Sequence, residues 1–385
     1  MQKKIALVIA IWISLVALSF GAEILNADDI IKVQLELFDW DGIDRLEQSL
    51  ASQSPQLENF DLQEEVMLIL SGQKQFSLQS VLNYLLDALF GEIYAYISII
   101  VRFILIIVLC HILNNLSTAF ESKNTTKVAF FVCNIVVFYS VAQSLVLVVE
   151  LAHQTIDNLT SLMLVILPTL LAFMATSGYI ATSAALSPVI VSGLTAVSFV
   201  IQYFLLPSVV GIIILQMVSS MSDEFKIDKF IGLFYKYSKS FLKLIFVLSM
   251  AIMGIYKMSL PYVDVTLKRV GLTLSAKFIP ILGDAVSGAI DLIIQMSGMI
   301  KNAFGIGVIL WIVILIAMPL VKMFTYILLY HFAGAIIEPL GDKRMAKMAT
   351  DIAKGCEFVM SCVGVVAILC IVALVICMSI GASLL

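Results

Sequence analysis

The segment AKFIPILGDAVSGAID, residues 276–291, carries Lys277, Asp284 and Asp291 inside a chain that is otherwise 61% apolar and only 13% charged. Pro280 and Gly283 interrupt it. A helix running from Asp284 to about Asn302 then places Asp284, Ser287, Gly288, Asp291, Gln295, Gly298 and Asn302 at offsets 0, 3, 4, 7, 11, 14 and 18, one narrow polar and small-residue stripe. Val286, Ile290, Ile293, Ile294 and Ile300 form the opposite side. A carboxylate facing hydrocarbon is unfavourable by roughly 2.5–3.5 kcal/mol, so Asp284 and Asp291 must meet water or a protein partner. Lys277 and Arg102 are candidate partners. The stripe can line an aqueous path, or it can be a helix-packing seam of the kind glycine and serine serve. The residues alone leave both readings open.

Other charges stand within or against apolar stretches. Arg102 lies about nine residues into an apolar run, where it either snorkels to the interface or pairs with an internal carboxylate. Lys322 sits where two runs meet and is expected at an interface. Glu338, followed by Pro339 and Gly341, either ends a helix or lines a path. In SDEFKIDKFIGLFYKYSKSFLK, Lys226, Lys229, Lys236, Lys239 and Lys243 fall on one side of a helix, with Phe230, Ile231, Phe234, Tyr237, Phe241 and Leu242 on the other. Such a helix lies on a cytoplasmic membrane face, where anionic lipid attracts lysine.

Enzymatic constellations are missing from the sequence. It has no GxxxxGK phosphate loop, no HExxH and no GxSxG, and Gly305-Ile306-Gly307 lacks the rest of a dinucleotide fingerprint. His111, His153 and His331 are far apart. The six cysteines, Cys110, Cys133, Cys356, Cys362, Cys370 and Cys377, all lie in or beside apolar runs, which reads as buried packing rather than disulfides or metal binding. No catalytic residue, cofactor, metal or nucleic-acid partner is expected.

The elements that carry these residues are all-α. Soluble domains are about 45–50% apolar, so the composition describes a polytopic α-helical membrane protein. Apolar runs lie near 93–114, 128–149, 160–177, 186–221, 243–257, 303–320, 321–338 and 357–383, giving a membrane domain over 93–385 with about seven to nine spans. Pro168, Pro188 and Pro207 point to a broken or paired helix in the 186–221 region. Residues 1–22, with Lys3 and Lys4 before a 16-residue apolar run and a small-residue end, have the layout of a signal peptide.

Residues 23–92 hold 14 of the 27 acidic side chains against Lys32, Arg45 and Lys74, a net charge of −11 where the rest of the chain carries +7. A small exported helical segment is expected there, docked on the membrane part. The positive-inside rule then puts Lys123 and Lys127 inside and a short loop bearing Glu150, His153 and Asp157 outside. The lysines of 222–243 fall inside. Beyond residue 243 the rule gives conflicting directions, because one ordinary span would export Lys268, Arg269 and Lys277.

The run GLTLSAKFIPILGDAVSGAIDLI, with LPTLLAFMATSG and LSPVI upstream and GIGVIL and IIEPLGD downstream, resembles the stage III sporulation protein AE family of endospore-forming bacteria. The likeness extends from the signal-like start, through GQKQFSLQSVLNYLLDALFGEI, to the last span. It implies a multi-pass protein of the mother-cell membrane facing the forespore. There it would join the other stage III A proteins, including an ATPase and the ring-forming AG and AH proteins, and stage II protein Q, in a channel or secretion-like apparatus. None of the shared motifs is catalytic. The alternative function is a self-sufficient secondary transporter for a small solute, which the lack of a visible inverted repeat disfavours.

Overall fold

A computed structural model of the chain describes residues 40–53, 61–71, 78–119, 123–221, 227–259, 264, 283–340 and 343–380. The expected signal peptide, the beginning of the acidic segment, Lys226 and Lys277 lie outside the described residues. No strand occurs among the described residues. The helices are α1 (Trp40–Gln53), α2 (Leu62–Leu70), α3 (Leu78–Ala119), α4 (Lys123–Thr176), α5 (Ile180–Val200), α6 (Leu206–Met221), α7 (Asp228–Ser259), α8 (Gly283–Ile337) and α9 (Lys343–Ser379). A π-helical turn, Ile201–Leu205, joins α5 to α6, and a 3₁₀ turn, Glu338–Leu340, follows α8.

Six helical stretches are long and apolar enough to cross a membrane: Leu89–Leu109, Ile135–Thr176, Ile180–Ser219, Asp228–Ser259, Ile294–Ile337 and Arg344–Ser379. Several contain two of the sequence runs. The pair 128–149 and 160–177 forms one helix of 54 residues, and the pair 303–320 and 321–338 belongs to one of 55. Each is roughly 80 Å long at about 1.5 Å per residue, well over twice a hydrocarbon core of about 30 Å.

The expected loop at Glu150, His153 and Asp157 is therefore helical. No glycine or proline breaks ELAHQTIDNL. Thr155 back-bonds to the Leu151 carbonyl at 2.7 Å, and Asp157 receives Gln202 Nε2 from the neighbouring helix at 2.7 Å. In the same way, the lysine-rich amphipathic helix and the 243–257 run are one continuous α7.

The interruption expected near Pro207 is present as the π turn. Proline has no N–H for the Tyr203 carbonyl, and the preceding turn widens so that Leu206 N–H reaches the Ile201 carbonyl.

Residue pairs fix the directions of the helices. Glu92, Tyr96 and Phe103 of α3 meet Lys322, Tyr326 and Tyr330 of α8 in rising order, so these two run parallel. Phe173 of α4 meets Phe304, while Ser144 bonds Tyr330, so α4 runs against α8. The α8–α9 contact is the most extensive in the bundle and is antiparallel. A Cβ at Gly305 would displace the Met378 side chain, and one at Gly334 would lie 2.9 Å from Thr350 Oγ1 and 3.2 Å from the Ala346 carbonyl, so both glycines favour the close approach. The centre of this bundle is aromatic: Trp311, Tyr330, Phe103, Phe173, Phe304 and Phe358 are fully buried.

The acidic segment contributes α1 and α2, which pack onto α4 and α8. Ile43 and Leu50, two turns apart, are the buried edge of α1, and Leu62 and Val66 that of α2. Trp40 meets Phe304 edge-on at 6.3 Å between ring centroids. Asp61 caps α2 by accepting Glu64 N–H at 3.0 Å. Glu47 Oε1 accepts Leu62 N–H at 2.8 Å and so ties the two helices together. Partial burial pushes the Glu47 carboxyl up to about 7; the Leu62 N–H opposes this, and the charges of Asp61 and Asp44 add to it.

Candidate functional site

The polar stripe falls on the first turns of α8. Asp284, Ser287, Gly288 and Asp291 are helical there, and their side chains lie outside the described residues. Gln295 is exposed, and a Cβ on Gly298 would meet nothing within 4 Å. Glycines that admit a neighbouring helix are found further along α8, at Gly305, Gly307 and Gly334. Asn302, at the end of the stripe, has a buried Oδ1 without a hydrogen-bond partner.

Beside it, Lys301 is 2% exposed and donates from Nζ to the carbonyl of Ile380 at the end of α9. A buried cation in an apolar helix is functionally suggestive by type. Lys301 falls two residues before the apolar run at 303–320, and hydropathy there reads it as a span boundary rather than as an interior charge.

Asp264 is the second residue that the pattern does not reveal. It is 4% exposed, and its Oδ1 and Oδ2 accept the N–H groups of Ala181 and Thr182 at 2.9 and 2.8 Å. This carboxylate caps the N-terminus of α5 from more than 80 residues away. The local N-cap, Tyr179, makes no side-chain cap, and a carboxylate at that end is favoured by both the unpaired N–H groups and the helix dipole.

The turn that presents those N–H groups depends on Gly178, with φ of 91°. Tyr179 N–H bonds the Met174 carbonyl at 3.1 Å and Gly178 N–H that of Ala175 at 2.9 Å, a Schellman closure of α4. This accounts for the glycine of LPTLLAFMATSG. Burial raises the Tyr179 phenol, and the Asp264 charge raises it further.

A different polar cluster joins α6, α7 and α9 around a pocket of about 210 Å³. Asp351, 8% exposed, accepts from Gln216 Nε2 and from Lys354 Nζ, the latter at 3.1 Å. Asp228 takes Lys347 Nζ at 3.1 Å and Ser219 Oγ at 3.3 Å. Tyr235 Oη donates to the Lys354 carbonyl at 3.2 Å. Each carboxylate has a lysine, and no nucleophile–base pair is formed. The chemistry is that of a neutral lock holding three helices. Gln216 and Asp351 are 135 positions apart, beyond any spacing rule.

The remaining predicted residues are dispersed. Arg102 is exposed on α3, and Glu338 is exposed at the start of the 3₁₀ turn that closes α8. Lys229, Lys236, Lys239 and Lys243 are exposed on α7. The apolar side of that helix divides: Ile231 and Leu242 are buried against the bundle, whereas Phe230, Phe234, Tyr237 and Phe241 face outward. Cys356, Cys362, Cys370 and Cys377 are free thiols buried in α9. No group of three His, Cys, Asp or Glu placed to hold a metal occurs among the described residues.

Long apolar helices with buried charges tied across them define a polytopic helical membrane protein. The chain belongs to the stage III sporulation protein AE family, whose model matches residues 60–381. It is 26% identical over 316 residues to stage III sporulation protein AE of Bacillus subtilis (strain 168), covering 82% of this chain and 79% of that protein. No solved structure matches it. The family is one of sporulation membrane proteins, and the chain has a role in sporulation.

Proposed function

We propose that this protein is a non-enzymatic, multi-pass component of a channel or secretion-like complex in the mother-cell membrane around the forespore. Its partners there are the other stage III A proteins, with their ATPase and the ring-forming AG and AH proteins, and stage II protein Q. The observation that carries this reading is the family match, which runs from the second acidic-segment helix to the end of α9.

The distribution of charge supports an orientation. Helices α1 and α2, with Asp41, Asp44, Glu47, Asp61, Glu64 and Glu65, pack at the level of Gly307, beside the C-terminal end of α9. Lys347, Lys354 and, from α7, Lys239 and Lys243 stand along the stretch of α9 between Lys347 and Val365, away from that end. An acidic outer face and a basic cytoplasmic face follow from the positive-inside rule. Energy for transport then comes from a partner.

Deleting the gene from the native spore-former is expected to arrest forespore development after engulfment, with rescue by a plasmid copy. Normal numbers of resistant spores from the deletion strain would overturn the proposal.

A further inference from the structure

Helices α7 and α9 run parallel where they touch, since Asp228 meets Lys347 and Tyr235 meets Phe358. Between them lies a groove of about 200 Å³ whose character changes along its axis. At one end stand Lys239 and Lys243, both exposed, with Ser361 opposite. About one turn past Lys243 and Ser361, the walls are Phe246 on α7 and Val365 on α9, and the same face of α9 continues to the exposed Ile368. Tyr235, stacked on Phe358 at 5.9 Å and hydrogen-bonded to the Lys354 carbonyl, closes the polar end.

We propose that this groove is a specific site for one anionic phospholipid, with its headgroup phosphate on Lys239 and Lys243 and its acyl chains along Phe246, Val365 and Ile368. Charge complementarity selects the headgroup, because two cations converge on one opening. Glu357 also borders the groove, but its Oε1 lies 3.0 Å from His331 Nε2 on α8, which holds that carboxylate toward a third helix. The apolar continuation selects a lipid over a soluble phosphate, since a free anion gains nothing from it. The volume suits a headgroup and its first carbons, so the chains leave over surfaces that already face hydrocarbon. This goes beyond the general attraction of a basic helix for a membrane, because only two of the α7 lysines belong to the groove.

Native mass spectrometry of the full-length protein in mild detergent, titrated with phosphatidylglycerol or phosphatidylcholine, tests the proposal. One saturable phosphatidylglycerol is expected, held about tenfold or more tightly than phosphatidylcholine, in keeping with two lysines near one phosphate. The K239E/K243E pair is expected to abolish that preference. The K229E/K236E pair makes the same change of charge on the same helix outside the groove, and is expected to leave it within about twofold. Val365→Trp, which fills the apolar part and leaves both lysines, is expected to remove the saturable site.

Equal losses from the two lysine pairs would show diffuse attraction and overturn the site. Unchanged binding in Val365→Trp would overturn the groove, and equal binding of the two lipids would overturn headgroup selection. Displacement by glycerol phosphate at matched concentration would overturn the lipid in favour of a soluble anion.

Discussion

The two ends of the bundle hold their carboxylates and lysines in opposite ways. At the end where α4 turns into α5, Asp264 and Lys301 are held by backbone groups: two N–H donors for the carboxylate and one carbonyl for the ammonium. At the other end, Asp228 and Asp351 are held by side chains, with Lys347, Lys354, Gln216 and Ser219 around them. A backbone partner moves only when its helix end moves, so the first arrangement records the geometry of the helix termini. Side-chain partners rotate and exchange, so the second can loosen one pair at a time.

The largest effect that sharpens this contrast belongs to Asp264→Ala. It leaves two N–H groups of a buried helix end without acceptors, and unfolding of the purified protein is expected to be easier by about 3 kcal/mol. Asp264→Asn, which keeps one oxygen, should recover part of that loss. A silent Asp264→Ala would show that the helix terminus finds water or another acceptor, and the contrast between the ends would fail.

Asp351→Ala is expected to cost about 1–2 kcal/mol, since Gln216 loses its acceptor while Lys354, half exposed, regains water. Lys347→Ala, at a pair exposed on both sides, should cost less than about 1 kcal/mol. The same denaturation series ranks all three, and a loss from Lys347→Ala as large as that from Asp264→Ala would reverse the picture.

Much of the architecture is readable from composition and run length: the all-helical class, the membrane domain, and the break at Pro207. Continuity of the long helices is not, because hydropathy registers Glu150 and Asp157 as a dip while the backbone registers only the absence of a breaker. The charges split along the same line. Lysines on one face of α7 are a local pattern, and their number and side are visible. Asp264 caps a terminus more than 80 residues away, and Asp351 meets Gln216 across 135, so neither leaves a local trace. Stripe geometry, likewise, says which residues share a face but not what stands opposite. The tight glycines nearest the stripe are in GIGVIL, one segment past it.

The smallest expected effect lies in the acidic segment, where Glu47 combines the two modes as a side chain bonded to a helix-end N–H. Its folded-state value near 7 is above the ordinary 4.5, so the folded form binds the proton more readily. The contribution to stability is full below about 4.5 and is lost as pH rises through about 7. Protease protection of residues 40–70 in the full-length protein should therefore decline modestly from pH 5 to pH 8. Glu47→Gln should flatten that decline, and an unchanged slope in the variant would assign it to another group.

Gly305 and Gly307 stand two positions apart, about 200° around α8, and so face nearly opposite ways. One receives Met378 of α9, the other Leu62 and Val66 of α2 at 3.0 and 3.3 Å from where a Cβ would be. A helix gripped through two small notches on opposite flanks resists rolling, because rotation carries a larger side chain toward Met378 of α9 or toward Leu62 and Val66 of α2. The azimuth of α8 is thereby favoured near one end, and because Pro319 interrupts the hydrogen-bond ladder further along, the far portion carries a close contact of its own, where Gly334 faces Thr350.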